Sequence, residues 1–246
     1  MYTDLAQWWP LLSPPQDYAD EAAVLGGLLR TGRRPVQRVL ELGSGGGHVA
    51  HHLRGQASLT LVDLSPQMLA MSRLINPTCE HVVGDMRTIR LGRHFDAVLV
   101  HDAIDYLLTE DEVRALGRTL AEHLSPGGVA VLAPDHIAES FEPGTQCGGS
   151  DAPDGRAARY LEWTWDPDPT DTWVQGEYAF VLRDDDGTIT TAHESHRFGL
   201  FARDRWIDLL HEAGLSTVAV LEQTDDDRTP RTLFVSTTGD DAGQNR

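Results

Sequence analysis

Glu41-Leu42-Gly43-Ser44-Gly45-Gly46-Gly47 sets a carboxylate two residues ahead of a glycine run, and Asp63 follows roughly 20 residues later. Glycine serves where a chain turns sharply and where a ligand must come close to the main chain. An acid placed like Asp63 can accept hydrogen bonds from ribose hydroxyls. The run lacks the Gly-Lys-Ser/Thr of a phosphate-cradling loop, and it is not the G-x-G-x-x-G that seats a pyrophosphate at a helix start. Glu41 would repel a pyrophosphate and attract a cation. S-adenosylmethionine carries an ammonium and a sulfonium and no phosphate, so these residues favour it over a nicotinamide dinucleotide.

A second set of residues could act on an acceptor. Methyl transfer from a sulfonium is an in-line displacement in which alignment and exclusion of water supply most of the rate. A base is required only where the acceptor must shed a proton. His101 and His136 follow candidate strands, and His136 is the preferred general base. Tyr106 is a base, an orienting group or a packing residue. Asp102 and Asp105 read equally as caps of the next segment. Glu194 and His196 share one strand face, with His193, Ser195 and Arg197 on the other. Trp8, Trp9, Trp163, Trp165 and Trp173 could box a cationic or aromatic acceptor, or could pack in the core. No metal is invoked.

These residues must be held by regular elements. Asp17–Arg30 carries a helical stripe of Tyr18, Ala22, Leu25 and Leu29, closed by Gly32. Gln37–Leu42 reads as a buried strand feeding the glycine run and a short helix. Ser58–Val62 is a second strand, after which Ser65 caps a helix with Pro66 at its first position. Glu80–Val83 and Phe95–Val100 are further strands. Thr109 and Glu112 form a capping box for a helix to about His123. Pro126-Gly127-Gly128 is expected to break the chain before a fifth strand, Val129–Ala133. Alternating strands and helices point to a parallel sheet covered on both faces.

After Pro134 the period changes. Ala158–Trp165, Trp173–Arg183 and Thr188–Gly199 alternate as antiparallel strands, with a hairpin at Asp184-Asp185-Asp186-Gly187. Ala202–Ala213 resumes a helix stopped by Gly214. Strands at Thr217–Glu222 and Arg231–Ser236 follow, joined through Asp225-Asp226-Asp227, and the tail from Thr237 is expected to be disordered. The fold expected is α/β: a Rossmann-like seven-stranded mixed sheet with an antiparallel β insertion after strand five. Residues 1–134 would form an N-terminal lid and cofactor-binding core. Residues 135–200 would form a substrate cap, and residues 201–246 would complete the core.

Composition narrows the function. The 246 residues carry a formal charge of −18, and the 20 basic residues are all Arg. Without Lys there is no P-loop lysine, Schiff base or pyridoxal phosphate chemistry. The acidic surplus opposes nucleic-acid binding, which needs a basic face. Two cysteines, Cys79 and Cys147, are too few for a disulfide scaffold or metal framework. No apolar run approaches the roughly 20 residues of a membrane span, and no leader pattern opens the chain. A cytoplasmic protein is expected, with a small-molecule acceptor and, as an open option, a second copy of the chain as partners.

The run V-L-E-L-G-S-G-G-G, then L-V-D-L-S-P-Q-M-L, V-V-G-D-M-R, F-D-A-V-L-V-H-D-A-I-D-Y-L and L-S-P-G-G resembles the class I S-adenosylmethionine-dependent methyltransferases over residues 37 to 134. The resemblance implies that Gly43, Ser44, Gly45 and Gly47 approach the cofactor, with Glu41 near its amino group. It places the ribose on Asp63, Leu64 and Met68 beside the nucleoside, Asp85 at the adenine amino group, Met86 over the ring and His101 near the methionyl end. The product would be S-adenosylhomocysteine.

The latter half is similar to enzymes that methylate the amino group of nucleotide-linked deoxysugars in antibiotic pathways. The shared traces are Phe141-x-Pro143-Gly144 and Glu194-Ser195-His196-Arg197-x-x-Leu200-Phe201, with Tyr2-x-Asp4 near the start. That family carries a histidine soon after strand four, where this chain has Tyr106. The implied activity is methyl transfer to N or O of a small molecule in specialised metabolism. A cofactor-binding module that does not methylate, or a regulatory subunit, is the alternative from another class, and a nicotinamide-dependent oxidoreductase is a third.

Overall fold

The computed structural model describes residues 2, 4–222 and 230–238. An N-terminal arm comes first: a 3-10 turn at Ala6–Trp8, α1 (Trp9–Leu12), a second 3-10 turn at Pro15–Tyr18 and α2 (Ala19–Leu29). The core then alternates β1 (Arg38–Leu42), α3 (His48–Leu53), β2 (Ser58–Asp63), α4 (Pro66–Ile75), β3 (Glu80–Val83), β4 (Phe95–His101), α5 (Glu110–His123) and β5 (Leu124–Ala133). Four strands follow, β6 (Gly144–Gly148), β7 (Ala157–Trp165), β8 (Trp173–Arg183) and β9 (Ile189–Gly199). The chain closes with α6 (Arg203–Glu212), β10 (Leu215–Leu221) and β11 (Thr232–Thr238).

The larger sheet has seven strands in the order β10-β11-β5-β4-β1-β2-β3. β11 runs antiparallel to both β5 and β10, while β1 to β5 are parallel. This is the Rossmann-like seven-stranded mixed sheet expected from the sequence, with β6 to β9 as a separate antiparallel sheet inserted after β5. Strand order reverses at β1, which pairs with β2 on one side and β4 on the other. Chains leaving such neighbours turn to opposite faces and open a crevice at the carboxyl ends of the strands.

The period of two in the central strands sorts their side chains into two apolar layers. Leu40, Val62, Val98 and Leu132 join α5 and α6 residues such as Leu116 and Trp206 on one face. Val39, Leu61, Leu99 and Val131 join Leu25, Leu29 and Leu53 of α2 and α3 on the other. A third cluster sets Trp8, Leu11 and Leu12 of the arm against Ala158, Phe180 and Leu182 of the small sheet. The arm thereby ties the insertion to the core.

Local chemistry fixes the helix starts. The Ser65 hydroxyl accepts from Met68 N, with Pro66 at the first position. Thr109 and Glu112 close both halves of a capping box. Two expectations are corrected. Pro126-Gly127-Gly128 does not break the chain before strand five but lies inside β5. Phe95 pairs with Leu124 and Ala97 with Val129, so the extra β5 residues are absorbed in an irregularity. β6 was not expected from its glycine-rich sequence; its backbone is recruited by pairing to β7 at the sheet edge. The Asp225–Asp227 connection lies outside the described residues, as does most of the tail; Thr237 and Thr238 belong to β11.

Candidate active site

β1 delivers Glu41 and then the glycine loop to the crevice. Glu41 is buried and its Oε2 has no partner among the described residues. Burial pushes its carboxyl up to about 8, with His101 opposing. Gly43 and Ser44 both donate N–H to the Val62 carbonyl, at 2.8 and 2.9 Å. Gly43 sits at φ 74°, and a Cβ there would stand 2.3 Å from the Ala103 methyl. Gly47 also has φ 74°, and its Cβ would stand 2.2 Å from Ser72 Oγ. Only glycine fits both places. The Ser44 hydroxyl is buried without a partner among the described residues.

Asp63 ends β2 and braces the loop. Its Oδ2 accepts from Gly45 N at 2.7 Å and its Oδ1 from Ser65 N at 2.7 Å. Burial raises its pKa against these bonds. Leu64 beside it is 69% exposed, whereas Met68 is buried on α4. Asp85 is gripped by Arg87, whose Nε and Nη2 reach its oxygens at 3.0 and 2.6 Å, and this holds its pKa down. Met86 packs half-buried against the core. Gly43, Gly45, Asp63, Leu64, Asp85 and Met86 all keep solvent exposure, so an open furrow runs along the strand ends.

The N-terminal arm roofs that furrow. The Ser65 hydroxyl donates to the Tyr2 carbonyl. The Trp9 ring edge comes within 2.9 Å of where a Cβ on Gly46 would stand, and Trp9 stacks on His48. Tyr18 packs edge-on against His101, with ring centres 6.1 Å apart. Trp9 is thus the tryptophan beside the glycine loop. Trp8 packs in the third cluster, Trp163 and Trp165 pair with each other, and Trp173 stacks under Arg197 at 4.2 Å.

At the ends of β4 and β5 the structure gathers a charge cluster. His101 Nε2 lies 2.9 Å from both Glu21 Oε1 and Asp102 Oδ1. Burial works against the charged ring, but Asp102, Asp135 and Glu41 outweigh it and push His101 up to about 9. His101 is therefore a paired cation near neutral pH. Arg231 touches Glu21 and lies 3.1 Å from Glu222, 3.3 Å from Asp135 and 3.6 Å from Asp102. Burial pulls its guanidinium down to about 10. Asp102 has φ 48°, the one positive φ of a non-glycine among the described residues. Asp105 Oδ2 accepts from Asp135 N at 3.0 Å, and burial lifts Asp105 to about 8.

His136 does not join this cluster. It is exposed, rests edge-on against Phe141, and makes no hydrogen bond among the described residues. Its neighbour Asp135 takes the place at the edge. Tyr106 is better placed: its hydroxyl donates to Tyr2 Oη at 3.0 Å and lies 3.2 Å from His196 Nδ1. His196 Nε2 is 3.0 Å from Glu194 Oε2, and burial lowers the ring's pKa, leaving it neutral. Tyr178 donates to Glu162 Oε1 at 2.6 Å across the same inner face. The pairing of Glu194 with His196 was visible in strand alternation. Asp135, Glu162, Tyr178, Glu222 and Arg231 carried no local signal.

Residues 39–128 match the methyltransferase domain family. A dTDP-3-amino-3,6-dideoxy-alpha-D-glucopyranose N,N-dimethyltransferase of Streptomyces fradiae is 32% identical over 204 residues, 82% of this chain and 78% of that one. The chain belongs to the class I S-adenosylmethionine-dependent methyltransferases. DesVI of Streptomyces venezuelae superposes on this methyltransferase with a TM-score of 0.84 at 27% identity, covering 96% of this chain and 99% of DesVI. CalS10, an amino pentose methyltransferase from Micromonospora echinaspora solved with the cofactor bound, gives 0.75 at 29% identity, covering 90% and 92%. The methyltransferase's own residues fit S-adenosylmethionine. Glu41 offers an unpartnered buried oxygen to an ammonium, and Gly45, partly exposed with only the Met68 methyl near its Cβ position, leaves the loop open to close approach.

Proposed function

We propose that this methyltransferase methylates the amino nitrogen of a small sugar carried on a nucleotide. The observation that carries the reading is a group of tyrosines set beside the carboxylates that follow β4 and β5, with Tyr106 hydrogen-bonded to Tyr2 and Tyr178 to Glu162. There Tyr2, Tyr18, Tyr106 and Tyr178 interact with Asp102, Asp105, Asp135 and Glu162. Aromatic faces and carboxylates together suit an amine-bearing sugar. The relatives named above act on such sugars by their descriptions.

S-adenosylmethionine supplies an activated methyl group on a positively charged sulfur. The rest falls to the chain. Glu41 holds the cofactor's ammonium, Asp63 its ribose hydroxyls, and the Gly43–Gly47 backbone its methionyl stem, near the hydroxyl of Ser44. Leu64, Met68 and Met86 flank the base, with the Asp85–Arg87 pair at its amino edge. The Tyr2–Trp9 roof excludes water, which matters because alignment in a dry site is most of such catalysis. Tyr106, held between Tyr2 and His196, orients the sugar. His101 positions Asp102 as a cation and does not serve as the base.

Residues 1–134 and 201–246 hold the cofactor in this reading, and residues 135–200 cover the acceptor. Leu161, Trp163 and Val181 stand exposed on the insertion sheet and would receive a second copy of the chain. The free cysteines Cys79 and Cys147 fit a reducing cytoplasm, and no described helix is long and apolar enough to cross a membrane. The test is incubation with S-adenosylmethionine and dTDP-3-amino-3,6-dideoxyglucose, followed by mass spectrometry. The reading expects methyl additions on nitrogen. Tight binding of S-adenosylhomocysteine with no transfer to any amine would favour a binding module instead.

A further inference from the structure

We propose that Asn76 is a positioning residue for the cofactor: from the end of α4 it fixes the tail of the glycine loop, and its amide sets how tightly S-adenosylmethionine and S-adenosylhomocysteine bind. The role concerns the cofactor loop alone and holds whichever acceptor atom takes the methyl group.

The loop cannot hold its own shape. Gly43, Gly45 and Gly47 all stand at positive φ, and glycine gives up more conformational freedom on being fixed than any other residue. Order must come from neighbours. The Val62 carbonyl takes the N–H groups at the head of the loop, and Asp63 takes Gly45 N in the middle. At the tail, Gly47 N donates to the Ser44 carbonyl at 2.8 Å and folds the loop back on itself. The Gly47 carbonyl accepts His51 N, the first bond of α3, and also Asn76 Nδ2 at 2.8 Å from 29 positions away. Asn76 thus does for the tail what Asp63 does for the middle.

Pro77 has no N–H with which to continue the helix, so α4 stops at Ile75 and Asn76 caps it. Asn76 and Ser72 are both fully buried. Asn76 Nδ2 also reaches Ser72 Oγ at 3.4 Å, and Ser72 Oγ lies 3.0 Å from His81 Nε2 on β3. The Cys79 carbonyl, 3.0 Å from His81 Nδ1, can only accept, so Nδ1 carries the hydrogen. Nε2 then accepts from the Ser72 hydroxyl, whose oxygen is left to accept from Asn76. These bonds aim the amide at Gly47. The fit is close: a Cβ on Gly47 would stand 2.4 Å from Asn76 Nδ2.

The amide is more than packing. Its Oδ1 is buried with no partner among the described residues. An unused buried acceptor costs stability that an apolar side chain would not. What the amide supplies in return is the donor to Gly47. A loop ordered before the ligand arrives spares the ligand that ordering, and affinity rises accordingly.

The experiment measures S-adenosylhomocysteine binding to Asn76→Ala by titration calorimetry, together with hydrogen exchange along the unliganded chain. The variant should bind about tenfold more weakly than wild type. Exchange should quicken over residues 43–51 and stay as in wild type in β4 and β5, and saturating S-adenosylhomocysteine should erase most of the difference. Ser72→Ala, which leaves the amide free to turn, should show the same pattern with a loss of about threefold, and it carries the test where Asn76→Ala does not fold. Binding within about twofold of wild type in a folded Asn76→Ala, or in Ser72→Ala where that variant stands in, overturns the proposal, as does exchange quickened evenly through the sheet. A wild type that does not bind S-adenosylhomocysteine overturns the cofactor site itself.

Discussion

Replacing Glu41 by Gln should uncouple S-adenosylhomocysteine binding from pH. Burial lifts the unliganded carboxyl to about 8, so at pH 7 only about a tenth of it is ionised. An ammonium set against Oε2 requires the anion. Binding at pH 7 therefore costs about 1.4 kcal/mol of ionisation and releases about one proton per ligand. Between about pH 6 and 7.5 the wild-type binding constant should rise nearly tenfold per pH unit, then level near 8. In Glu41→Gln the slope and the proton release vanish. Near pH 8 the lost charged hydrogen bond should cost about 1.5–3 kcal/mol, roughly 10- to 150-fold. Titration calorimetry in two buffers of different ionisation enthalpy measures both quantities. Wild-type binding without proton release, or equal release by the variant, would refute the reasoning. The same carboxyl sets a stability trend. Its folded pKa lies above the unfolded 4.5, so the native state binds the proton more tightly. That contribution is complete below about 4.5 and lost as pH rises through about 8, and Glu41→Gln should flatten this part of the unliganded stability profile.

Asp63→Ala removes the acceptor of two charge-assisted bonds that brace Gly45 and Ser65, and should weaken S-adenosylhomocysteine by about 2–3 kcal/mol in calorimetry. Arg231→Met strands Glu222 as a buried, uncompensated charge and leaves Glu21 to His101 alone, and urea unfolding should show a loss of about 3–5 kcal/mol. Tyr106→Phe breaks the contacts to Tyr2 and His196 without opening a large cavity. Steady-state kinetics should show a loss of about tenfold in kcat/KM for the sugar, with cofactor affinity unchanged.

What the sequence made legible was local or periodic. The Thr109 capping box, the Ser65–Pro66 helix start and the glycine loop between β1 and α3 each depend on residues a few positions apart. Asp63 was readable because the length of a strand–helix–strand unit fixes its distance from the loop. Pro126-Gly127-Gly128 misled because a break signal says nothing of an irregular edge that its partner strand absorbs. The proposed acceptor side was hidden because its contacts are long-range. Tyr106 meets Tyr2 across 104 positions and His196 across 90, and Arg231 meets Glu21 from the far end of the chain. His136 and Asp135 show the same limit on a smaller scale. Both follow β5, but only Asp135 turns back to Arg231, a contact with the far end of the chain that no spacing in the sequence records.

The central claim is tested most directly by a crystal structure of the methyltransferase with S-adenosylhomocysteine. The account predicts the ligand's amino group within hydrogen-bond distance of Glu41, its ribose on Asp63 and its sulfur turned towards Tyr2 and Tyr106. A ligand seated elsewhere, or one whose amino group ignores Glu41, would contradict it.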